Sequence, residues 1–181
     1  SSINFLGNRS FRDRKLKSQL VTKESKWWRF FSSDDSYDPD KLAYDREQIR
    51  KFYLDEGYAD FQVVSAVAEL TKDGNNFVIT FVLDEGQVYE FGESSIESSL
   101  ENMDTDELLY LIEHRKGNQY KATDIDITVD ALTLAVGEEG YASAEVRPRV
   151  RRKREEGIVD IVYSIDEGPR VYIEKININE N

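Results

Sequence analysis

His114 is the only histidine of the 181-residue chain, and the chain has no cysteine. A nucleophilic triad needs a base beside its nucleophile, and a protein zinc site usually combines several histidine or cysteine ligands. Neither can be assembled here in the usual ways, so we expect no catalytic residues, no metal and no cofactor. His114 stands near the end of a predicted helix, where the helix dipole favours a cation. We interpret it as a structural cation at that helix end.

Four aspartates could act as oxygen ligands for calcium: Asp34, Asp35, Asp38 and Asp40. A calcium loop alternates Asp or Asn ligands and carries a glycine for its sharp turn, and this stretch has neither. Asp38 precedes Pro39, which is the usual order of an N-cap and a first helical residue. The pattern therefore predicts a solvated acidic loop that leads into a helix.

An aromatic cluster with two basic residues precedes the acidic loop, and its members are Lys26, Trp27, Trp28, Arg29, Phe30 and Phe31. Such a segment can stack on single-stranded nucleic acid, rest at a membrane interface or dock a protein. The alternative is that at least two of its four aromatic rings pack inward on the chain's own helices. The net charge of −12, from 24 basic and 36 acidic residues, disfavours nucleic acid and anionic membranes. Inward packing and protein docking remain.

Two motifs each occur twice in the chain, separated by nearly the same number of residues. They define the structural units that must position the residues described above. Residues 56–59, Glu-Gly-Tyr-Ala, return as residues 139–142. Residues 84–86, Asp-Glu-Gly, return at almost the same step as residues 166–168. Two different motifs at one period indicate an internal repeat. The chain therefore contains two small domains, which we place at residues 1–87 and 88–170.

The predicted order of elements within a unit is β-α-α-β-β. In the first copy we expect a strand at 3–6, a helix from Ser10, and a second helix that starts at Asp38 and ends at Gly57. A hairpin follows, with strands at 59–70 and 77–83. In the second copy we expect the first strand at about 88–96 with a bulge at Gly92, and the first helix at about 105–113.

The ends of the chain suggest a longer array. Residues 176–178 resemble residues 3–5, so we expect 171–181 to be the truncated first strand of a third unit. No apolar run approaches the length of a membrane-spanning helix. The joint between the two units, at residues 86–89, is short and has the apolar Val88 nearby, which predicts a restricted hinge.

A β-α-α-β-β unit of this size, with Gly-Tyr after its second helix and Glu-Gly after its last strand, resembles the POTRA (polypeptide transport-associated) domain. The residues that carry the resemblance are 3–8 with Phe11, and Trp27 and Trp28 before the run 42–58. Tandem POTRA domains precede the membrane β-barrel in the Omp85 superfamily. A Trp pair at this place resembles the third POTRA domain of members that assemble outer-membrane β-barrels. The second copy would then be the fourth POTRA domain. Residues 94–98 depart from the pattern, because they lack the Gly-Asn that follows the first strand of copy one.

The resemblance implies an α+β fold of two tandem POTRA domains, each a three-stranded sheet covered on one face by two helices. It implies that the second hairpin strand is central and the first lies at an edge. It also implies a periplasmic portion of an outer-membrane protein, which docks assembly lipoproteins, receives unfolded outer-membrane proteins and contacts neighbouring POTRA domains. The resemblance implies neither catalysis nor nucleic-acid binding, and it implies contact with the membrane only through the barrel. The alternatives are a rigid structural spacer, or the arm of a related secretion or organelle import pore.

The two predicted edge strands differ in a way that bears on function. The first has neither charge nor proline, and its residues are Phe61, Gln62, Val63, Val64, Ser65, Ala66, Val67 and Ala68. The second carries Pro148 among Arg147, Arg149 and Arg151, and proline and charge are both means of blocking an edge. We predict that the first edge accepts an added peptide strand. The alternative is that it pairs with nothing.

The same arginines begin a basic run that extends through residue 154. One interpretation is a solvated hairpin, and the other is a docking surface for an acidic patch on a partner, where charge raises the association rate.

Overall fold

A computed structural model describes residues 2–21 and 38–168 of the chain. The first unit consists of β1 (Ser2–Leu6), α1 (Asp13–Val21), α2 (Pro39–Asp55), β2 (Gln62–Leu70) and β3 (Phe77–Asp84). The second consists of β4 (Glu90–Ser98), a 3-10 helix (Thr105–Leu111), α3 (Ala122–Glu138), β5 (Ala144–Lys153) and β6 (Ile158–Glu167). Within these described ranges, no helix combines the length and apolar character needed to cross a membrane.

Each unit has one three-stranded sheet, ordered β1-β3-β2 in the first and β4-β6-β5 in the second. The central strand runs parallel to the first strand of its unit and antiparallel to its hairpin partner. The prediction that the second hairpin strand is central and the first lies at an edge is therefore confirmed. The α+β fold of two tandem units is confirmed with it.

The ends of α2 follow from the residues that flank it. The Asp38 side chain accepts a hydrogen bond from the amide of Asp40 at 2.9 Å, and Pro39 takes the first helical position. Gly57 follows the helix with φ of +99°, a conformation that glycine adopts without steric cost. Asp38 therefore acts as the predicted N-cap. Asp34 and Asp35 lie outside the described residues.

Alternation along the central strands builds the two cores, because every second side chain faces the helices. In the first unit these are Ile79, Phe81 and Leu83, and they meet a set from the helices: Leu16, Leu20, Ile49 and Tyr53. In the second unit the central strand contributes Val159, Ile161, Tyr163 and Ile165. The helices that the structure describes therefore cover one face of each sheet.

The second unit departs from the predicted pattern at its first helix. The expected α-helix at 105–113 is a 3-10 helix that ends at Leu111. The backbone is already extended at Ile112, with φ of −69° and ψ of 115°. This early exit lets Ile112 and His114 enter the core, where they are 7% and 3% exposed. The predicted bulge at Gly92 is confirmed, because the register of β4 against β6 shifts between Phe91 and Ser94.

Candidate protein-binding edges and the joint between units

Within the described part of the chain, β2 has one free side, and alternate residues direct their backbone groups to that side. The amide of Thr71 donates to the carbonyl of Asn76 at 2.7 Å where the hairpin closes. Along an antiparallel pair, residues that form backbone hydrogen bonds to the partner strand alternate with residues that do not. The bond at Thr71 therefore identifies which residues of β2 bond to β3. It follows that the N–H and C=O groups of Ala66, Ala68 and Leu70 point away from β3. These are the groups that an added strand would use.

A groove of about 500 Å³ runs beside this edge, between α2 and β2. Its lining is mixed, with apolar and charged side chains from the helix and mostly apolar ones from the strand: Pro39, Leu42, Ala43, Arg46, Glu47, Arg50, Phe61, Gln62, Val63 and Ala66. Arg46 Nη2 donates to the carbonyl of Val63 at 2.9 Å. The start of the edge is therefore already occupied by a side chain from α2, and the open part begins after it.

The predicted acceptor segment at 61–68 divides into two parts in the structure. Phe61 precedes the strand and stacks on Tyr53, with ring centroids 4.1 Å apart. Gln62 is exposed, whereas Val63 is buried. Val64 is 61% exposed at a bulge, since the pairing register shifts between Val63 and Ser65. After the bulge, Ser65, Ala66 and Ala68 are half-buried and Val67 is exposed, which makes a regular uncharged edge.

The matching edge on β5 is lined by charge. Arg147, Arg149 and Arg151 lie on the helix-free face of the second sheet, while Pro148 stands on the other face opposite Tyr163. Several basic groups on this strand have acidic partners: Arg147 pairs with Glu145 at 2.5 Å, Lys153 pairs with Asp160 at 2.8 Å, and Arg149 pairs with Glu97. Three of the six basic residues in the run therefore have an acidic partner within their own unit.

The joint is built on one segment, residues 55–60, which we call the first corner. Its backbone carbonyls accept hydrogen bonds from the second unit. Gly57 accepts from the amide of Tyr89 at 2.9 Å, and Ala59 accepts from Arg152 Nη1 at 3.0 Å. Tyr89 also donates its hydroxyl to the carboxylate of Asp60. Ala59 is 5% exposed and packs with the core of the second unit. At the joint, Val88 is 47% exposed, whereas Tyr89 is fully buried.

Asp55 of the first corner caps a helix of the other unit. Lys121 occupies the N-cap position of α3 and makes no side-chain cap hydrogen bond. Asp55 Oδ1 instead accepts from the amide and the hydroxyl of Thr123, at 2.8 and 2.7 Å. A carboxylate at this end also suits the helix dipole. The second unit thus obtains the cap of α3 from the first.

The interpretation of His114 as a cation at a helix end is wrong. The residue is buried, its ring stacks on Phe91 with centroids 3.9 Å apart, and Nε2 lies 2.7 Å from the hydroxyl oxygen of Tyr163. Burial lowers the pKa of His114 to about 4, with a further lowering contribution from the charge of Arg115. His114 is therefore neutral at neutral pH. Among the residues that the structure describes, no three His, Asp or Glu side chains cluster around a metal position.

Sequence reasoning missed Asp55, Thr123 and Arg46. It named Arg152 as part of the basic run but did not predict its hydrogen bond to Ala59. The usable signal was Lys121, which is a poor N-cap at the start of an otherwise clear helix and therefore points to a cap from elsewhere. Trp27, Trp28, Phe30 and Phe31, the other predicted docking residues, lie outside the described residues.

Residues 1–86 and 89–168 each match the sequence model of the POTRA family, described as a surface antigen variable number repeat. The chain belongs to this family. It is similar over its whole length to outer membrane protein assembly factor BamA. Over 181 residues it is 27% identical to BamA of Neisseria meningitidis serogroup B, with 100% of this chain and 23% of the relative covered. Over 184 residues it is 28% identical to BamA of Nitratidesulfovibrio vulgaris, with 99% and 23% covered.

The chain thus spans less than a quarter of the length of these relatives. Among solved structures, it is similar to BamA POTRA3-5 of Haemophilus influenzae, with a TM-score of 0.75 and 23% identity. That match covers 99% of this chain and 72% of the other. At this identity the likeness concerns the fold.

Proposed function

We propose that this chain is part of the periplasmic arm of an outer-membrane β-barrel assembly protein. We further propose that the arm docks assembly lipoproteins and that β2 receives unfolded outer-membrane proteins by β-augmentation. Membership of the POTRA family and the names of the two relatives, both assembly factors, support the first part. The single observation that carries the second is the free edge of β2 beside its groove, which carries neither charge nor proline over residues 62–68.

An edge of this kind suits many different clients. Backbone N–H and C=O groups supply the attraction, so an added strand needs no particular sequence. The small side chains of Ala66 and Ala68 leave room on the groove side. The edge of β5 lacks a donor at Pro148 and is lined by charged side chains. Reception of a strand is therefore assigned to the first unit rather than the second.

The geometry also predicts a weak and exchanging complex. Ala66, Ala68 and Leu70 offer one donor and one acceptor each, and Arg46 already occupies the carbonyl of Val63. A hydrogen bond contributes roughly 0.5–1.5 kcal/mol net, and ordering an unfolded client opposes that gain. Short residence is what a receptor that passes its clients onward requires.

The test is a titration of the isotopically labelled chain with an unfolded peptide of alternating apolar and polar residues. We expect NMR shifts of the amides between Ala66 and Leu70. Ala68→Pro should abolish them, because it removes a donor that faces solvent and spares the ladder with β3. Val150→Pro is the matched control, since it changes the equivalent position on β5 and should leave the shifts intact. Equal loss in both variants would contradict the assignment.

A rigid spacer is the second candidate, and the hydrogen bonds of the first corner favour it. The two roles separate when the first unit is replaced by an unrelated domain of similar length. A spacer is rescued by such a replacement, whereas a receptor loses client binding. The arm of a secretion or import pore is disfavoured, because both relatives quoted are named as assembly factors.

A further inference from the structure

A depression of about 460 Å³ lies where α1, α2 and the start of α3 meet, and we call it the lysine depression. Its lining includes Lys15 of α1, Lys51 of α2 and Lys121, the N-cap residue of α3. None of the three lysines forms an ion pair with a residue that the structure describes. A chain with a net charge of −12 therefore carries a local cluster of unpaired positive groups at the joint between its units.

Gln48 is a buried amide that borders the lysine depression. The residue is 8% exposed and belongs to the lining, together with Gln19 of α1. The side-chain amide of Gln48 makes no hydrogen bond within the described part of the chain, yet it is not sealed from solvent. Buried polar groups generally have hydrogen-bond partners. The amide is therefore placed to bond to a ligand in the lysine depression.

Two acidic residues also line the lysine depression, Asp55 and Glu56. Asp55 accepts hydrogen bonds from the amide and the hydroxyl of Thr123, at 2.8 and 2.7 Å, so its charge is compensated at the N-terminus of α3. Glu56 is exposed to solvent. The lysines therefore outnumber the acidic groups, and one of the two acids is already occupied.

Phe52 adds an apolar surface to the lysine depression. The ring is half-buried, and Lys15 Nζ lies 5.8 Å from its centroid. A volume of this size suits a group larger than a single ion. The combination of ammonium groups, an amide donor and an aromatic ring fits a peptide segment that presents carboxylates beside apolar side chains.

We propose that the lysine depression binds an acidic segment of a partner protein. Carboxylates of that segment meet the three lysines and the amide of Gln48, and an apolar side chain packs on Phe52. Because the lysines come from both units, the bound segment bridges them. This inference goes beyond the proposed function, since the groove beside β2 is lined by a different set of α2 residues.

The test is an NMR titration of the isotopically labelled chain with a peptide rich in glutamate and leucine. We expect shifts of the amides of Gln48, Phe52 and Thr123, and an affinity that falls as salt is added. Lys51→Gln should weaken binding about three-fold, as for a solvent-exposed charge pair. Gln48→Leu should weaken it about ten-fold, because it removes a hydrogen bond to a charged group with little change in size.

Lys17→Gln is the matched control, because it removes the same charge from an exposed position of α1 outside the lysine depression. It should leave the affinity nearly unchanged, whereas Lys121→Gln should weaken binding about three-fold although Lys121 belongs to the second unit. Ala68→Pro, which blocks the edge of β2, should leave the shifts at Gln48 intact.

Three outcomes overturn the proposal. Equal losses in Lys17→Gln and Lys51→Gln would indicate attraction by general charge. Loss of all shifts in Ala68→Pro would place the peptide on β2. Inorganic phosphate that binds as tightly as the peptide, with the same shifts, would show that the site takes a free anion rather than a protein segment.

Discussion

The hydroxyl of Tyr53 donates a hydrogen bond to Oε2 of Glu85 at 2.7 Å inside the first unit. The same carboxylate accepts from the amides of Arg9 and Ser10, at 3.0 and 3.1 Å. Glu85 is 8% exposed, so it is a buried acid surrounded by donors. It joins three parts of the chain: the loop before α1, the inner face of α2 and the end of β3. Burial and the bond to Glu85 both raise the pKa of Tyr53, which keeps its hydroxyl a donor.

We expect Glu85→Ala to destabilise the first unit by about 3 kcal/mol, because it leaves several buried donors without an acceptor. Tyr53→Phe should cost less, about 1.5 kcal/mol, since the carboxylate keeps its two amide partners. Glu167→Ala is the control, because Glu167 holds the matching position of the second unit and is exposed. Chemical denaturation measures all three. A cost for Glu85→Ala no larger than that for Glu167→Ala would contradict the role given to this group.

His114 should make the stability of the second unit depend on pH. Its folded-state pKa of about 4 lies below its ordinary value of 6.5, so the unfolded chain takes up the proton first as the pH falls. Above about pH 6.5 the contribution of His114 to the free energy of unfolding is fully present. Between about pH 6.5 and about pH 4 it should fall by on the order of 3 kcal/mol. The free energy of unfolding of the wild type, relative to His114→Gln, should fall over that range. A difference that stays constant with pH would count against a buried neutral histidine.

The repeat and the alternation of apolar residues predicted the order of elements in each unit, and the resemblance to POTRA domains implied the arrangement of the strands and helices. Gly57 and Asp38 marked the ends of α2, because helix ends are local effects of backbone conformation and capping. The sequence Asp73-Gly74-Asn75, a common turn combination between two strand-like runs, located the hairpin in the same way. His114 could not be placed in this way. Its burial depends on the chain leaving the 3-10 helix at Ile112, and on Tyr163, which is distant in sequence. The hydrogen bond from Arg46 to Val63 could not be predicted either, because a long side chain can reach many different partners.

Two glycines of the second unit should respond in opposite ways to alanine. A Cβ at Gly92 would overlap Asp160 Oδ1 and Ile158 Cγ2. Asp160 accepts from the amide of Glu93 at 2.8 Å and pairs with Lys153, so displacing it breaks both contacts. We expect Gly92→Ala to cost about 2 kcal/mol. Gly137 lies in α3 with no described atom near its Cβ position, so Gly137→Ala should gain about 0.5 kcal/mol. Thermal unfolding distinguishes the two, and a loss of stability from both would contradict the contrast.

The arginines of β5 should contribute less to partner binding than their number suggests. Arg147 and Arg149 are paired with acids of their own unit, while the described residues offer Arg151 no ion pair. If an acidic partner docks here, we expect Arg151→Ala to slow association by several-fold, and more than Arg147→Ala does. The rate should be measured at about 50 and about 300 mM salt, because screening separates charge attraction from contact. If the wild type, Arg151→Ala and Arg147→Ala associate at equal rates at both salt concentrations, the basic run is a solvated hairpin and not a docking surface.

Asp55→Ala should weaken the second unit although Asp55 belongs to the first. Its carboxylate provides the cap that Lys121 does not, through bonds of 2.8 and 2.7 Å to Thr123. Loss of an N-cap costs about 1 kcal/mol, so we expect the amides in the first turn of α3 to exchange about five-fold faster. Asp38→Ala is the matched control, because it removes the cap of α2 within its own unit and should leave α3 unchanged. If Asp55→Ala speeds exchange only within the first unit, α3 holds its own N-terminus and the two units are not coupled through this carboxylate.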